Sequence, residues 1–191
     1  MSVEAGVRRL RPEDAPSFVA LRREALESEP LAFGSSVDDD RRLSVEFVCR
    51  WLADDPEHAV FGAFESARLE GVVGIYRESR AKQRHKATIW GVYVTPPARR
   101  KGIASALLAA AIGHASAWPG VRQLHLSVAE VAETARRRYE AAGFRIWGRE
   151  PRALQWQGKF VDDFHLVLDL DGKEADASER GAARAASGEA A

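Results

Sequence analysis

The alternation of apolar and polar positions predicts short strands and amphipathic helices up to about residue 170. Apolar residues spaced three or four apart, among them Phe18, Leu21 and Leu26, predict a first helix. Ser44 is a suitable N-cap for a second helix that carries Phe47 and Trp51. Short runs rich in β-branched and aromatic residues predict strands at 7–10, 59–64, 71–76, 88–94, 124–128, 144–147 and 164–170.

Two further helices are predicted at 102–118 and 133–142. Pro119 and Gly120 end the first, and Gly143 is the expected left-handed residue after the second. The predicted order is therefore β-α-α-β-β-β-α-β-α-β-β. Such an order is typical of one α/β domain, here residues 1–170, in which helices cover a mixed sheet.

Composition changes sharply at Asp171, after which no large apolar residue occurs and Ala, Glu, Arg, Gly and Ser dominate. A segment of this kind cannot bury enough apolar surface to offset its conformational entropy. The sequence therefore predicts a disordered tail over residues 171–191.

Overall charge and cysteine content exclude several classes of protein. Lys plus Arg and Asp plus Glu both number 28, so no basic excess favours nucleic acid as a partner. The single cysteine, Cys49, excludes an internal disulfide, and its place beside Trp51 predicts a small buried side chain. No signal segment or membrane span is visible, so a cytoplasmic protein without membrane contact is expected. The histidines lack metal-ligand spacing, so no metal is expected.

The stretch from Val92 to Leu108 is the most informative, because a strand there enters a turn with two prolines and then a helix. Three cationic residues follow the prolines, and Gly102 opens the helix. The first helical turn has amide N–H groups without intrahelical partners, and the helix dipole favours an anion there. Small side chains at Gly102 and Ala104 leave this backbone accessible. The stretch predicts a diphosphate site, although neither common nucleotide-loop spacing is present.

The segment Arg99-Arg100-Lys101-Gly102-Ile103-Ala104 matches R/Q-x-x-G-x-G/A and resembles the coenzyme A loop of the GCN5-related N-acetyltransferases. The element order over residues 7–170 is also similar to that fold. The resemblance implies a mixed, mostly antiparallel sheet of six to seven strands with helices on both faces. It also implies that acetyl-CoA is the cosubstrate and that two central strands part to admit the thioester.

The same resemblance implies which residues hold the coenzyme. The backbone of Val92 and Val94 would pair with the pantetheine amides, and the amides from Arg100 to Ser105 would hold the pyrophosphate. The expected cofactor-binding residues are Val92, Tyr93, Val94, Arg99, Arg100, Lys101, Gly102, Ile103, Ala104 and Ser105.

The segment from Ala135 to Phe144 reads A-R-R-R-Y-E-A-A-G-F and resembles the A-x-x-x-Y-x-x-x-G-F segment of the same family. Tyr139 falls on the inward stripe of the predicted helix. The resemblance implies that its hydroxyl protonates the departing thiolate, which suits a phenol in an apolar slot. A core tyrosine with a satisfied hydroxyl is the alternative. Ala132 stands where the family often has Asn, so one cofactor contact is missing.

These features predict an acetyl-CoA-dependent N-acetyltransferase in which a primary amine attacks the thioester directly in a ternary complex. Glu78 and Glu130 are candidates for the general base, but a solvated surface role is the more common case for each, and the base stays unassigned. Asp38 to Asp40 are candidates to hold a cationic acceptor, although a solvated charge run is the more common case.

The acceptor is expected to be a small-molecule or peptide amine of unknown identity, and a homodimer is compatible with this fold. The alternative function is a non-catalytic acyl-CoA-binding or sensory module, favoured by Ala132 and by the unassigned base. A third hypothesis, a nucleotide-binding regulator, predicts that ATP competes with coenzyme A without needing the pantetheine arm.

Overall fold

The computed structural model describes residues 6–53 and 55–171 and contains seven strands and four α-helices in this part of the chain. The predicted tail lies outside the described residues from residue 172 onward. The strands are β1 (Gly6–Arg9), β2 (His58–Glu65), β3 (Arg68–Arg77), β4 (Lys86–Val94), β5 (Gln123–Ala129), β6 (Arg145–Trp156) and β7 (Lys159–Asp169). The helices are α1 (Ala15–Ser28), α2 (Val45–Trp51), α3 (Ile103–Ser116) and α4 (Glu133–Ala141).

All seven strands form one mixed sheet in the order β1-β2-β3-β4-β5-β7-β6. Every neighbouring pair is antiparallel except β4 and β5, which are parallel and joined by the crossover helix α3. The element order and the mostly antiparallel mixed sheet agree with the prediction from the sequence.

Two apolar layers cover the sheet, one on each face. On the first face, α3 and α4 pack on β2 to β5 and β7 through fully buried residues such as Leu107, Leu124 and Leu166. On the second face, α1 and α2 pack over β2 to β4 around Phe18, Val48 and Val60. The β5–β7 half of the second face, which α1 and α2 do not cover, carries several polar side chains, among them His125, Ser127 and His165.

The local signals at the helix ends behave as the sequence predicts. The Ser44 hydroxyl accepts the Phe47 N–H at 3.2 Å and so caps α2. Gly143 follows the C-cap residue Ala142 of α4 and has φ +97°, a conformation that costs glycine little.

Two predictions from the sequence are wrong. Strands β6 and β7 form a long hairpin over 145–169, whereas the apolar pattern predicts only 144–147 and 164–170, because the tip is charged and lies in solvent. Cys49 is exposed, not buried. The helix α2 is seven residues long and turns Val48 toward the core, so the next position, about 100° further round, points outward.

Candidate functional site

Strands β4 and β5 pair over only three residues and then part. The register joins Lys86 to Gln123, Ala87 to Leu124 and Thr88 to His125, and no later rung exists in the described chain. Both strands continue beyond this point, to Val94 and Ala129. The sheet therefore contains a wedge-shaped split that is closed at Thr88 and His125 and open at the ends of the two strands.

A bulge in β4 helps to open this split. Between the rungs Gly74–Trp90 and Val72–Tyr93, β4 has one residue more than β3, and Gly91 takes φ +63° there. Glycine is suited to this position because other residues pay a steric cost at positive φ. A bulge bends the strand that carries it, so β4 turns away from β5.

The free backbone edge of β4 faces the split. The Thr95 N–H donates to the Glu70 carbonyl of β3 at 2.8 Å, and backbone groups alternate sides along a strand. The backbone N–H and C=O groups of Val94 and Val92 therefore point toward β5, where no strand pairs with them in the described chain. The carbonyl of Val94 already accepts the Arg99 Nε–H at 3.0 Å. The Val94 N–H and the Val92 backbone remain for a ligand.

The loop after β4 presents a row of unpaired amides at the open end of the split. The 3-10 turn Pro96–Ala98 leads into Arg100 at φ +64° and Gly102 at φ +83°, and α3 starts at Ile103. No amide from residue 100 to 105 donates to any group in the described ranges, and the first bonded one is Ala106, to the Gly102 carbonyl at 3.0 Å. Such a concave row of N–H groups at a helix N-terminus favours an anion.

The base of this loop is fixed by a buried contact. The Thr95 hydroxyl donates to the carboxylate of Glu70, and both residues are buried. The loop is thus held to β3 by a side-chain and a backbone hydrogen bond. This double contact keeps the amides in place without a ligand.

Within the described residues, one of the three cationic side chains of the loop has no partner. Arg99 pairs with Glu29 at 3.0 Å, and Lys101 pairs with Glu65 at 2.9 Å. Arg100 is exposed and has no partner among residues 6–53 and 55–171. Of the predicted set, Tyr93 lies apart from the split: its side chain is buried against α1, where its hydroxyl donates to Glu24 at 3.0 Å.

Tyr139 lies on the inner side of α4 in the apolar layer that includes β5. Its side chain is buried, and its ring packs edge-on against Phe144 with 6.2 Å between centroids. Its hydroxyl has no hydrogen-bond partner in the part of the chain that the structure describes, and the oxygen is not fully enclosed by protein. Burial raises the pKa of Tyr139 well above its usual range, so the phenol stays protonated at neutral pH.

A groove of about 420 Å³ runs between α3 and α4 beside the amide row. Leu108, Ala109 and Ile112 give it an apolar floor, and Arg137 and Arg138 flank it. The Arg138 guanidinium donates to the Ser105 hydroxyl at 2.9 Å, at the end of the groove next to the amide row. The groove therefore offers an apolar surface and cationic groups next to the anion site.

A second cavity of about 300 Å³ lies on the other side of the sheet, on the half that α1 and α2 leave uncovered. We call it the open-face cavity. Its polar lining includes Glu78, Thr88, His125, Ser127 and His165, and Trp147 forms one wall. Because Thr88 and His125 are the last paired rung, this cavity meets the split at its closed end. The strand pattern shows His125 on a half-buried strand, but the sequence does not place it beside the split.

The two predicted base candidates are both engaged. Glu78 accepts the Thr88 hydroxyl at 2.9 Å inside the open-face cavity. Glu130 contacts Arg149 at 3.0 Å and accepts the Asp162 N–H at 3.3 Å, outside the cavity. Asp40 is neither exposed nor a ligand for an acceptor, because it is buried in an ion pair with Arg22 at 2.7 Å.

Two observations concern the described residues as a whole. No helix among them is long and apolar enough to cross a bilayer. No group of three or more His, Cys, Asp or Glu side chains there could hold a metal ion.

The chain belongs to the Acetyltransferase (GNAT) family, whose sequence model matches residues 18–144. The matched range contains the split, the amide row and Tyr139. Family membership makes the chain an acetyltransferase. No curated protein sequence matches the chain.

Three solved structures have a similar fold. A GNAT-family acetyltransferase from Streptococcus pneumoniae has 26% sequence identity and a TM-score of 0.77, covering 87% of this chain and 100% of its own. The yncA protein of Salmonella typhimurium, solved with its cofactor acetyl-CoA, has 18% identity and a TM-score of 0.75, covering 87% and 94%. A phosphinothricin acetyltransferase from Sinorhizobium meliloti, in complex with acetyl-CoA, has 20% identity and a TM-score of 0.75, covering 87% and 89%.

Proposed function

We propose that this acetyltransferase moves the acetyl group of acetyl-CoA to a primary amine by direct attack in a ternary complex. The observation that carries the proposal is the row of unpaired amides from residue 100 to 105 at the open end of the split. A diphosphate satisfies these donors and the dipole of α3 together. Two neighbours of similar fold were solved with acetyl-CoA, which supports the same donor here.

The position of the diphosphate determines where the rest of the coenzyme lies in this proposal. The pantetheine arm runs along the free edge of β4, where its amides bond the Val94 N–H and the Val92 backbone. The apolar groove between α3 and α4 accepts the adenosine end, with Arg137 and Arg138 nearby. Because the pyrophosphate lies at the open end, the thioester lies toward the closed end of the split.

Tyr139 is the proposed acid. The amine nitrogen attacks the thioester carbon, the C–S bond breaks, and the phenol donates its proton toward the departing sulfur. Its hydroxyl has no competing partner in the described chain and is not fully enclosed by protein, which favours this role over that of an ordinary core tyrosine.

The test measures free thiol released from acetyl-CoA in the presence of single amines: glycine, spermidine, phosphinothricin, an aminoglycoside, an alanyl tripeptide and Nα-acetyl-lysine. We expect thiol release with at least one amine, matched by an equal amount of acetylated product. Calorimetry with coenzyme A is run beside it. Binding without thiol release from any amine would favour the non-catalytic acyl-CoA-binding module, and absence of binding would overturn the cofactor assignment.

A further inference from the structure

The open-face cavity contains a histidine at the point where the two central strands part. His125 lines this cavity on β5, and its rung with Thr88 is the last before the split. Register partners in neighbouring strands point to the same face of a sheet. His125 therefore borders both the cavity and the closed end of the split.

We propose that His125 is the general base, which accepts the proton of the attacking amine at its Nδ1 atom. This inference rests on the proposed function, since it assumes that the thioester lies in the split. The diphosphate site is at the C-terminal end of β4, and the pantetheine arm runs from there back toward Thr88. The acyl carbon then lies near the closed end, and an amine that enters through the open-face cavity reaches it beside His125.

A hydrogen-bond chain fixes the tautomer of His125. The Gln123 Nε2–H donates to the Asp169 carboxylate at 2.8 Å, so its Oε1 is left as an acceptor. The Nε2 of His125 lies 3.3 Å from this Oε1 and must be the protonated nitrogen. Arg145 in turn contacts Asp169 at 3.0 Å. The Nδ1 lone pair is therefore the free one, and it has no hydrogen-bond partner within residues 6–53 and 55–171.

The surroundings keep this imidazole neutral. Burial lowers the pKa of His125, and the positive charge of Lys86 lowers it further. Asp169 and Glu78 act in the opposite direction, and His85 adds a small lowering effect. His165, hydrogen-bonded to Glu150, faces the same cavity from β7. With a pKa below the ordinary histidine value, the ring is in its proton-accepting form at neutral pH.

The other titratable groups nearby are less well placed. His165 lies one strand further from the split, and its Nε2 is 3.1 Å from the Glu150 carboxylate. Glu78 directly follows β3, and its carboxylate accepts the Thr88 hydroxyl. Asp163 has a buried carboxylate oxygen without a partner in the described chain, but it pairs with Ala129 at the open end. That rung is four residues from His125, about 13 Å along the strand.

The proton balance of the step is complete. The N–C bond forms as the C–S bond breaks, the amine proton goes to Nδ1 of His125, and the sulfur takes the Tyr139 proton. Solvent then returns a proton from the imidazolium to the phenolate. The products are an acetamide and free coenzyme A, and the enzyme is unchanged.

The experiment compares wild-type protein with His125→Gln, Lys86→Gln and the control Lys82→Gln, an exposed residue outside the cavity lining. Thiol release is measured from pH 5 to 9 with whichever amine in the panel gives the highest rate, and coenzyme A affinity by calorimetry. His125→Gln should lower kcat by about 100-fold or more and remove the acid limb of the pH profile, with affinity unchanged. Lys86→Gln should move that limb to higher pH, because removal of the cation raises the pKa of His125.

The outcomes separate this inference from the proposed function. If His125→Gln keeps kcat within about threefold of wild type, or loses coenzyme affinity as well, His125 is not the base, and the acetyltransferase proposal stands. An acid limb that stays in place in Lys86→Gln also contradicts the assignment. If wild-type protein binds coenzyme A but releases no thiol with any amine, the proposed function and the base assignment fail together.

Discussion

At the scale of single residues, Tyr139 and the ion pair of Arg22 and Asp40 show opposite uses of burial. The ring of Tyr139 is buried, and its hydroxyl has no partner in the described chain but is not fully enclosed by protein, so it can reach a ligand. Arg22 and Asp40 are equally buried, with side chains 5% and 1% exposed, but they satisfy each other at 2.7 Å. The Tyr139 hydroxyl is therefore free to donate its proton, whereas the ion pair holds α1 to the segment before α2.

Replacing Tyr139 by Phe should lower kcat by about 100-fold or more with little change in coenzyme A affinity, because only the proton donor is lost. The raised pKa of Tyr139 adds a second expectation: its proton is retained up to high pH, so kcat should show no alkaline loss near the ordinary tyrosine value. Thiol release and calorimetry measure both quantities. Tyr76→Phe, at an exposed position on β3, is the control. Unchanged turnover in Tyr139→Phe would remove the residue from the mechanism.

Asp40→Asn should lower the free energy of unfolding by about 3–5 kcal/mol, because it leaves Arg22 buried without its counter-charge. Burial opposes ionisation of Asp40, but hydrogen bonds from Arg42 and Arg22 outweigh it and lower its pKa. A lowered carboxyl pKa stabilises the fold above the unfolded value of about 3.9, and this contribution is lost as pH falls toward the folded value.

Urea unfolding at pH 7 and at lower pH measures this effect. The variant should be less stable at pH 7, and the difference from wild type should shrink in acid. Glu27→Gln is the matched control, because its pair with Arg23 at 3.9 Å is exposed and contributes about 0–1 kcal/mol. Equal losses in the two variants would show that the buried pair has no special role.

At the scale of elements, the loop between β4 and α3 depends on backbone conformation more than on side chains. Gly102 has φ +83°, and a Cβ at this position would meet no atom within 4 Å. An added methyl group would therefore strain the backbone without a steric clash against neighbouring residues. The strain falls on the segment whose amides form the proposed diphosphate site.

Gly102→Ala should cost about 1–2 kcal/mol in stability through the left-handed conformation, and it should weaken coenzyme A binding if the loop relaxes to a negative φ. Gly113→Ala, inside α3, is the control: this site is also open, but its φ is not positive, so alanine should stabilise α3 by about 1 kcal/mol. Thermal unfolding and calorimetry measure both effects. Opposite signs are expected, and a stabilised Gly102→Ala would contradict the backbone argument.

The elements also show how far the sequence is informative. The loop is predictable because its signals are local: the prolines, Gly102 and the helix that follows lie within twenty residues. The β6–β7 hairpin is predicted too short because charged residues and Pro151 interrupt its apolar pattern. The middle of β6 is a strand because its backbone pairs with β7, which the local sequence does not show. His125 is the clearest omission. The alternation of apolar and polar residues predicts the strand that contains His125. Its place at the last rung between β4 and β5 depends on pairing between residues far apart in the sequence, which this alternation does not show.

At the scale of the whole molecule, the split joins the two faces of the sheet. The groove between α3 and α4 lies on one face, and the open-face cavity lies on the face that α1 and α2 only half cover. Donor and acceptor can therefore enter from opposite sides and meet near Thr88 and His125. Such an arrangement suits direct transfer in a ternary complex.

The split also predicts how coenzyme A should change the protein. Its pantetheine arm would act as a further strand and satisfy the β4 backbone groups that face β5. Coenzyme A at about 100 times its Kd should raise the free energy of unfolding by about 2.7 kcal/mol. For a chain of this size, this corresponds to roughly 5–10 °C in Tm.

Hydrogen exchange locates the effect. Coenzyme A should slow exchange at the Val94 amide, which faces the split, and at the amides of residues 100–105, whereas ATP at equal saturation should slow only the latter. The difference arises because ATP has a phosphate chain for the helix N-terminus but no pantetheine arm to bridge β4 and β5. A nucleotide-binding regulator would instead respond equally to both ligands. Equal protection by ATP and coenzyme A at Val94 would therefore show that the split is not the binding site of the arm, and the placement of the thioester near Thr88 would fall with it.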